Sequence, residues 1–344
     1  MANIMVNDVC NLKCPYCFAN EYVNGDTSTD ITYANFKKAV DWINKSSDID
    51  KTAHRVALIG GEPLLHHQFE DLIEYASRER RPGQELLVFT NGIYADKYVD
   101  LFSRHRVSLL LNINSYEDIG QKAYDRLVNN IRLLRLKGVH ASIGINFYKA
   151  DQDMSFILNI IKEFGFLSLR IGIVSPNTEE KRSMGSFFYY NEIKDSLMNF
   201  IEECAKLGCA AHFDCQKIPF CIMRHLTDRV RKIEEENHVS LDLFDCRGCH
   251  PVLDITTDLK VARCFGVSKR EDTYPMDLFE TEHHAEDFFR TNYDNPGLLI
   301  PGNPECVTCK ERVFGYCQGG CLSYKLDKIN QILRRPQVSE IQQI

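Results

Sequence analysis

Apolar residues cluster in short runs suited to buried parallel strands at Ala2–Val6, Arg55–Ile59, Glu85–Phe89, Ser108–Ile113, Ala141–Phe147 and Ser168–Val174. Between them lie amphipathic stretches near Tyr33–Asn44, Phe69–Arg78, Asp96–Arg104, Gln121–Lys137 and Met154–Phe164. Leu127, Ile131 and Leu134 recur at helical steps and predict one buried helix face. Gly138 follows where a C-terminal cap belongs. Six strand–helix units predict a parallel α/β fold with right-handed crossovers. Reactive groups in such folds gather at the carboxyl ends of the strands.

Beyond Pro176 the alternation stops. Asn177–Ser186 is polar and loop-like, Phe188–Leu207 reads as a helix, and the chain after Asp245 is rich in loops and cysteine. That last region has too little periodic hydrophobicity for a core of its own, so metal clusters are expected to hold it together. The tail from Asn330 to Ile344 is polar.

A chain of 344 residues has room for one large core plus a smaller module, or for two domains. Hydrophobic residues at 44% and charged residues at 26% are ordinary globular values. No apolar run is long enough to span a membrane, and no signal peptide precedes the first cysteines, so a cytoplasmic protein is expected. The 14 cysteines then read as metal ligands rather than disulfides. A net charge of −7 argues against a nucleic-acid partner. The basic stretches Arg78–Arg81 and Arg229–Lys232 are short and read as solvated faces.

Directly after the first strand comes Cys10-Asn-Leu-Lys-Cys14-Pro-Tyr-Cys17, a C-x3-C-x2-C spacing. Three thiolates on a four-iron (4Fe–4S) cluster leave one iron open, the mark of a centre that binds a reactant. A zinc knuckle or a cluster used only for electron transfer are the plainer alternatives. Gly60-Gly61-Glu62-Pro63 ends the second strand; paired glycines let backbone approach a ligand closely, and the carboxylate can accept from an ammonium group. A tight turn is the structural alternative. Phe89-Thr90-Asn91-Gly92 ends the third strand and also reads as an ordinary Asn-Gly turn.

These motifs, in this order, resemble the radical S-adenosylmethionine (SAM) superfamily. The resemblance implies a partial (β/α)6 TIM-like barrel over residues 1–180, in which SAM occupies the open iron and an electron splits it into methionine and a 5′-deoxyadenosyl radical. It implies cofactor contacts at Tyr16, Gly60, Gly61, Glu62, Asn91, Ser115 and Asn146, and a flavodoxin- or ferredoxin-type electron donor. Lys122 or Arg126 replaces an arginine that relatives use for the SAM carboxylate.

A second set of cysteines lies near the end: Cys246-x2-Cys249, Cys264, Cys306-x2-Cys309, Cys317 and Cys321. It resembles the SPASM and twitch auxiliary domains, expected over residues 241–328 after a helical bridge at 181–240 and before a tail at 329–344. Carried over, the family pattern gives one auxiliary cluster to Cys246, Cys249, Cys264 and Cys321, and a second, incomplete one to Cys306, Cys309 and Cys317. The spacing departs from the family's, and a zinc ribbon is the alternative. Cys204 and Cys209 read as core thiols; Cys215 and Cys221 read as buried thiols, with extra ligands as the other possibility. Phe265 stands where sulfatase-maturing relatives carry a basic aspartate, so the general base has no matching residue.

The resemblance implies an enzyme that oxidises, cross-links or cyclises a peptide or protein residue. A small-molecule dehydrogenase, an RNA-modifying enzyme and a non-enzymatic iron–sulfur protein are the rivals, in that order. The position of Cys10 leads us to expect no leader-recognition domain before it.

Overall fold

The structure is a computed structural model, and it describes the chain apart from residues 1, 15, 18, 20, 21, 24–28, 174–185, 215–217, 242, 244–251, 269–271 and 326–344. Ten strands form one sheet in the order β10-β9-β8-β1-β2-β3-β4-β5-β6-β7. β1 (Ala2–Met5), β2 (Val56–Ile59), β3 (Leu86–Thr90), β4 (Ser108–Asn112), β5 (Ala141–Phe147) and β6 (Ser168–Ile173) are the six expected strands. Each is parallel to its neighbour.

Strand alternation sends Ile4, Leu58, Val88, Leu109, Leu111, Ile143, Ile145, Leu169 and Ile171 to one face, where they join a continuous apolar core. That core is completed by α1 (Tyr33–Asp50), α2 (Phe69–Glu79), α3 (Val99–His105), α5 (Gln121–Leu136) and α6 (Ser155–Phe164); α4 is the short Tyr116–Ile119. Leu127, Ile131 and Leu134 are buried on α5 as expected, and Gly138 turns the chain at φ +66°. α1 runs past the expected end at Asn44, and there the hydroxyls of Ser46 and Ser47 donate back to the Trp42 and Ile43 carbonyls (2.9 and 3.0 Å). Such back-bonding lets polar side chains stay buried in a helix.

The other face of the sheet changes character along its width. Met5, Ala57, Ile59, Leu87 and Leu110 are apolar and buried, whereas β5 and β6 present Ser142, Gly144, Asn146, Arg170 and Gly172. The sheet curls about this face. Across it the Arg170 guanidinium of β6 reaches to 5.9 Å from the centre of the Phe89 ring of β3.

The sheet extends beyond six strands in both directions. β7 (Ala210–Phe213), from the expected helical bridge, pairs parallel with β6. It lies between α7 (Ser186–Lys206) and α8 (Thr227–Asn237). β8 (Leu253–Ile255) is parallel to β1 on its other side, followed by the antiparallel β9 (Lys260–Ala262) and β10 (Tyr274–Pro275).

The cysteine-rich region therefore does not depend on metal alone for its placement. Phe279, Phe288, Phe289 and Tyr293 are buried in the main core, three of them on or beside α9 (Glu282–Phe289). The Trp42 indole also donates to the Phe279 carbonyl at 2.8 Å. Local periodicity could not reveal this core, because its partners are α1 and β8 rather than neighbours in sequence. Among the described residues no helix is long and apolar enough to cross a membrane.

Candidate cluster and cofactor site

The loop after β1 carries Cys10, Cys14 and Cys17, and the glycine turn after β2 holds it down. Gly61 N–H donates to the Asn7 carbonyl (3.0 Å) and Glu62 N–H to the Val9 carbonyl (2.8 Å). The Asn7 side-chain amide returns a bond to the Glu62 carbonyl at 2.8 Å. A Cβ on Gly60 would lie 2.5 Å from Asn7 Oδ1, and one on Gly61 only 2.2 Å from the Val9 carbonyl oxygen. The glycines thus admit the cysteine loop itself, a closer reason for them than the ligand approach expected from sequence.

All three cysteines are partly exposed, and Cys17 N–H closes a turn onto the Cys14 carbonyl at 3.1 Å. Burial raises the Cys10 thiol to about 11 and the Cys14 thiol to about 12, with charge on neighbouring thiolates adding to both. Bound cations would reverse that effect. Thiolates round one tetrahedral zinc stand about 3.8 Å apart. Among the described residues, the donors gathered within 4.8 Å of one another are those of Asp30, His66 and His67.

Glu62 is 1% exposed. Its Oε1 accepts the Thr90 hydroxyl (2.6 Å) and Leu64 N–H (3.2 Å), and its Oε2 accepts Asn91 N–H (2.8 Å). Burial raises its pKa to about 7 against these donors, which pull the other way. The Asn91 side chain reaches Asn11 in the cysteine loop at 2.9 Å. Gly92 at φ +74° turns the chain away. Both turns and the cysteine loop are one bonded unit.

Tyr16 is buried, and its hydroxyl donates to Asn114 Oδ1, which also accepts from Cys14 Sγ at 3.7 Å. Its ring packs 4.7 Å from that of Tyr148. Ser115 caps α4: its Oγ accepts Asp118 N–H (3.1 Å) and donates to Asp118 Oδ2 (2.9 Å). Asn146 lies on β5 opposite Gly172, where a Cβ would meet its Oδ1 at 2.7 Å. Arg126 is engaged with Asp96 at 2.9 Å and Lys122 is exposed.

Among the carboxy-terminal cysteines, Cys246 and Cys249 lie outside the described residues, as does Cys215. Cys264 is partly exposed; Cys306, Cys317 and Cys321 are buried, and Cys309 is intermediate. Gly319 N–H donates to Cys317 Sγ at 3.3 Å, the kind of bond that tunes a cluster's potential. The buried Lys325 ammonium donates to the Gly297 carbonyl at 3.2 Å and to that of Gln318. Burial lowers its pKa to about 8, while Cys306, Cys317 and Cys321 act to raise it. A buried cation among thiols fits thiolates that carry charge. Cys204 and Cys209 are fully buried, as expected, but Cys221 is exposed rather than buried.

Sequence patterns missed several residues. Asn114 and Asn11 link motifs far apart in the chain. Asp254 on β8 is buried with its pKa raised to about 6 by burial; it accepts from Asn3 Nδ2 (2.8 Å) and Phe265 N–H (3.0 Å). Arg170 on β6 pairs with Asp214 just after β7, on the polar side of the curled sheet.

Residues 4–156 match the family model of the Radical SAM superfamily. Ninety residues are 32% identical to an S-adenosylmethionine-dependent nucleotide dehydratase of Selenomonas ruminantium, covering 26% of this chain and 29% of that protein. Another 21% identity over 159 residues is to a GTP 3′,8-cyclase of Photorhabdus laumondii, 46% of each chain. The match spans less than half the length of these curated relatives.

Solved structures are similar over a longer span. One is native anSMEcpe with bound AdoMet and Kp18Cys peptide: TM-score 0.64, 15% identity, 96% of this chain and 99% of that one. Another is Streptococcus suis SuiB bound to precursor peptide SuiA: TM-score 0.56, 14% identity, 100% and 75%. At these identities the likeness is one of fold. The family match covers the stretch that holds the cysteine loop and both turns, so residues 4–156 are similar to a radical SAM domain.

Proposed function

We propose that the chain is a radical SAM enzyme that removes a hydrogen atom from a residue of a peptide or protein, leaving it oxidised, cross-linked or cyclised. The observation that carries this reading is the place of Phe265. Next to Cys264, it packs with Met5, Ala19, Tyr22, Val23 and Ile59, and with Cys17 of the first cysteine loop. This contact brings the chain segment of Cys264 to the first cysteine loop, and an auxiliary cluster held by Cys264 would on this reading serve as acceptor for the electron of a substrate radical. The peptide-bound fold relatives support the same substrate class.

When bound, the four-iron cluster and SAM supply the electron and the carbon-centred radical. The chain supplies orientation. Cys10, Cys14 and Cys17 would hold three of the irons, the backbone of Gly60 and Gly61 fixes that loop, and Glu62 locks the turns. Tyr16 and Asn114 wall the site beside Cys14. The Arg170–Asp214 pair favours a second reading, a small polar or anionic molecule in the curled sheet, in keeping with the nucleotide named for one sequence relative.

Isotope transfer separates the two readings. Deuterium from a labelled peptide should appear in 5′-deoxyadenosine made by the reduced enzyme. Transfer from a labelled nucleotide and none from peptides would favour the second.

A further inference from the structure

With Cys321 given to the other auxiliary cluster, as the family pattern implies, Cys306, Cys309 and Cys317 supply three thiolates, and a cubane cluster takes four. The missing one is near at hand. Cys221 belongs to a short helical turn, Phe220–Met223, anchored by the buried Ile222 and Met223 while its own residue surface stays exposed. Arg224, next in the chain, pairs its Nη2 with Glu311 Oε1 at 3.3 Å. The Glu311 carbonyl in turn accepts Tyr316 N–H (2.8 Å) and Cys317 N–H (3.1 Å). The turn bearing Cys221 is thereby docked on the loop bearing Cys317. The charges that act on the Cys221 thiol are those of Cys317, Cys306 and Cys309, which add to burial in raising it to about 11.

We infer that Cys221 is the fourth thiolate of the auxiliary iron–sulfur cluster built on Cys306, Cys309 and Cys317. On binding iron the thiol gives up its proton, and no electron transfer is needed. A ligand from upstream of β8 ties the α7–α8 region to the carboxy-terminal loop. Cys204 and Cys209 cannot serve, being enclosed in the apolar core. The inference rests on reading the carboxy-terminal cysteines as iron–sulfur ligands, so the test reports on both.

Full-length protein is reconstituted anaerobically with iron and sulfide, and both apo and loaded forms are treated with iodoacetamide and mapped by mass spectrometry. The accessible Cys221 should be alkylated in the apo form and slowed about tenfold or more in the loaded form, together with Cys306, Cys309 and Cys317. If those three become protected while Cys221 reacts at its apo rate, Cys221 is not a ligand. If none of the four is protected and iron reaches only the first cysteine loop, the auxiliary reading fails and the inference with it.

A variant provides the second readout. In a Cys10, Cys14 and Cys17 to alanine background, Cys221→Ala should change the electron paramagnetic resonance spectrum of the reduced auxiliary centre and speed its loss of iron to a chelator. Cys209→Ala should do neither. Identical spectra and iron loss in the Cys221→Ala protein and its parent would overturn the assignment.

Discussion

Glu62 Oε2 accepts the backbone N–H of Asn91 at 2.8 Å. With the Thr90 hydroxyl on Oε1 at 2.6 Å, this joins the turn after β2 to the turn after β3. With Leu64 N–H also on Oε1, Glu62→Ala leaves three buried donors without their acceptor, at a cost of about 1–3 kcal/mol for each that stays unsatisfied. The variant should melt at lower temperature and bind SAM more weakly while keeping nearly all its iron. Equilibrium dialysis and thermal melts check this; an unchanged melting temperature contradicts it.

Gly61 has no space for a side chain, since a Cβ would stand 2.2 Å from the Val9 carbonyl oxygen. Backbone on both sides cannot yield as a flexible side chain could. Gly61→Ala should therefore displace the cysteine loop and lower reconstituted iron by about four atoms per chain, one cubane's worth. Parent-like iron content would show that the glycine serves only the turn.

His54 lies between Asp50 at the end of α1 (2.9 Å) and the buried Glu282 of α9 (3.3 Å). Hydrogen bonding to Glu282 raises its pKa above the ordinary 6.5, outweighing burial. The folded chain thus holds this proton more tightly than the unfolded one. The stabilisation is complete below pH 6.5 and fades as pH rises through the folded value. His54→Asn should cost about 2 kcal/mol in mild acid and less in mild alkali. Parallel melting curves for parent and variant across that window would rule the histidine out as the source.

Arg170, paired with Asp214, faces the polar half of the curled sheet rather than the cysteine loop. Arg170→Gln should leave iron content and substrate-free SAM cleavage close to the parent's. It should raise the substrate concentration needed for coupled turnover about tenfold, a loss of about 1.4 kcal/mol. An unchanged KM would remove this pair from the substrate site.

The legible parts of the sequence were those whose cause is local. β1 to β6 announce themselves as apolar runs, and the cysteine and glycine motifs lie within a few residues. β7 is four residues with a histidine, and β8 to β10 are two or three residues each. Only pairing with a preformed sheet makes strands of such segments. Asn114 meets Tyr16 across 98 positions of sequence, and Asp214 meets Arg170 across 44. Cys221, read as a buried thiol or an extra ligand, is exposed, and the ion pair of Arg224 with Glu311 that docks its turn spans 87 positions of sequence. Ser115, expected at the cofactor, has its hydroxyl engaged in capping α4.

The central claim is that Cys10, Cys14 and Cys17 hold a cluster that cleaves SAM. Reconstituted protein is mixed with dithionite and SAM, and 5′-deoxyadenosine is measured by liquid chromatography. The parent should form it, and the variant with all three cysteines replaced by alanine should not, although it keeps the iron of its auxiliary centre. Equal product from parent and variant, or none from a parent shown to carry its full iron, would contradict the account.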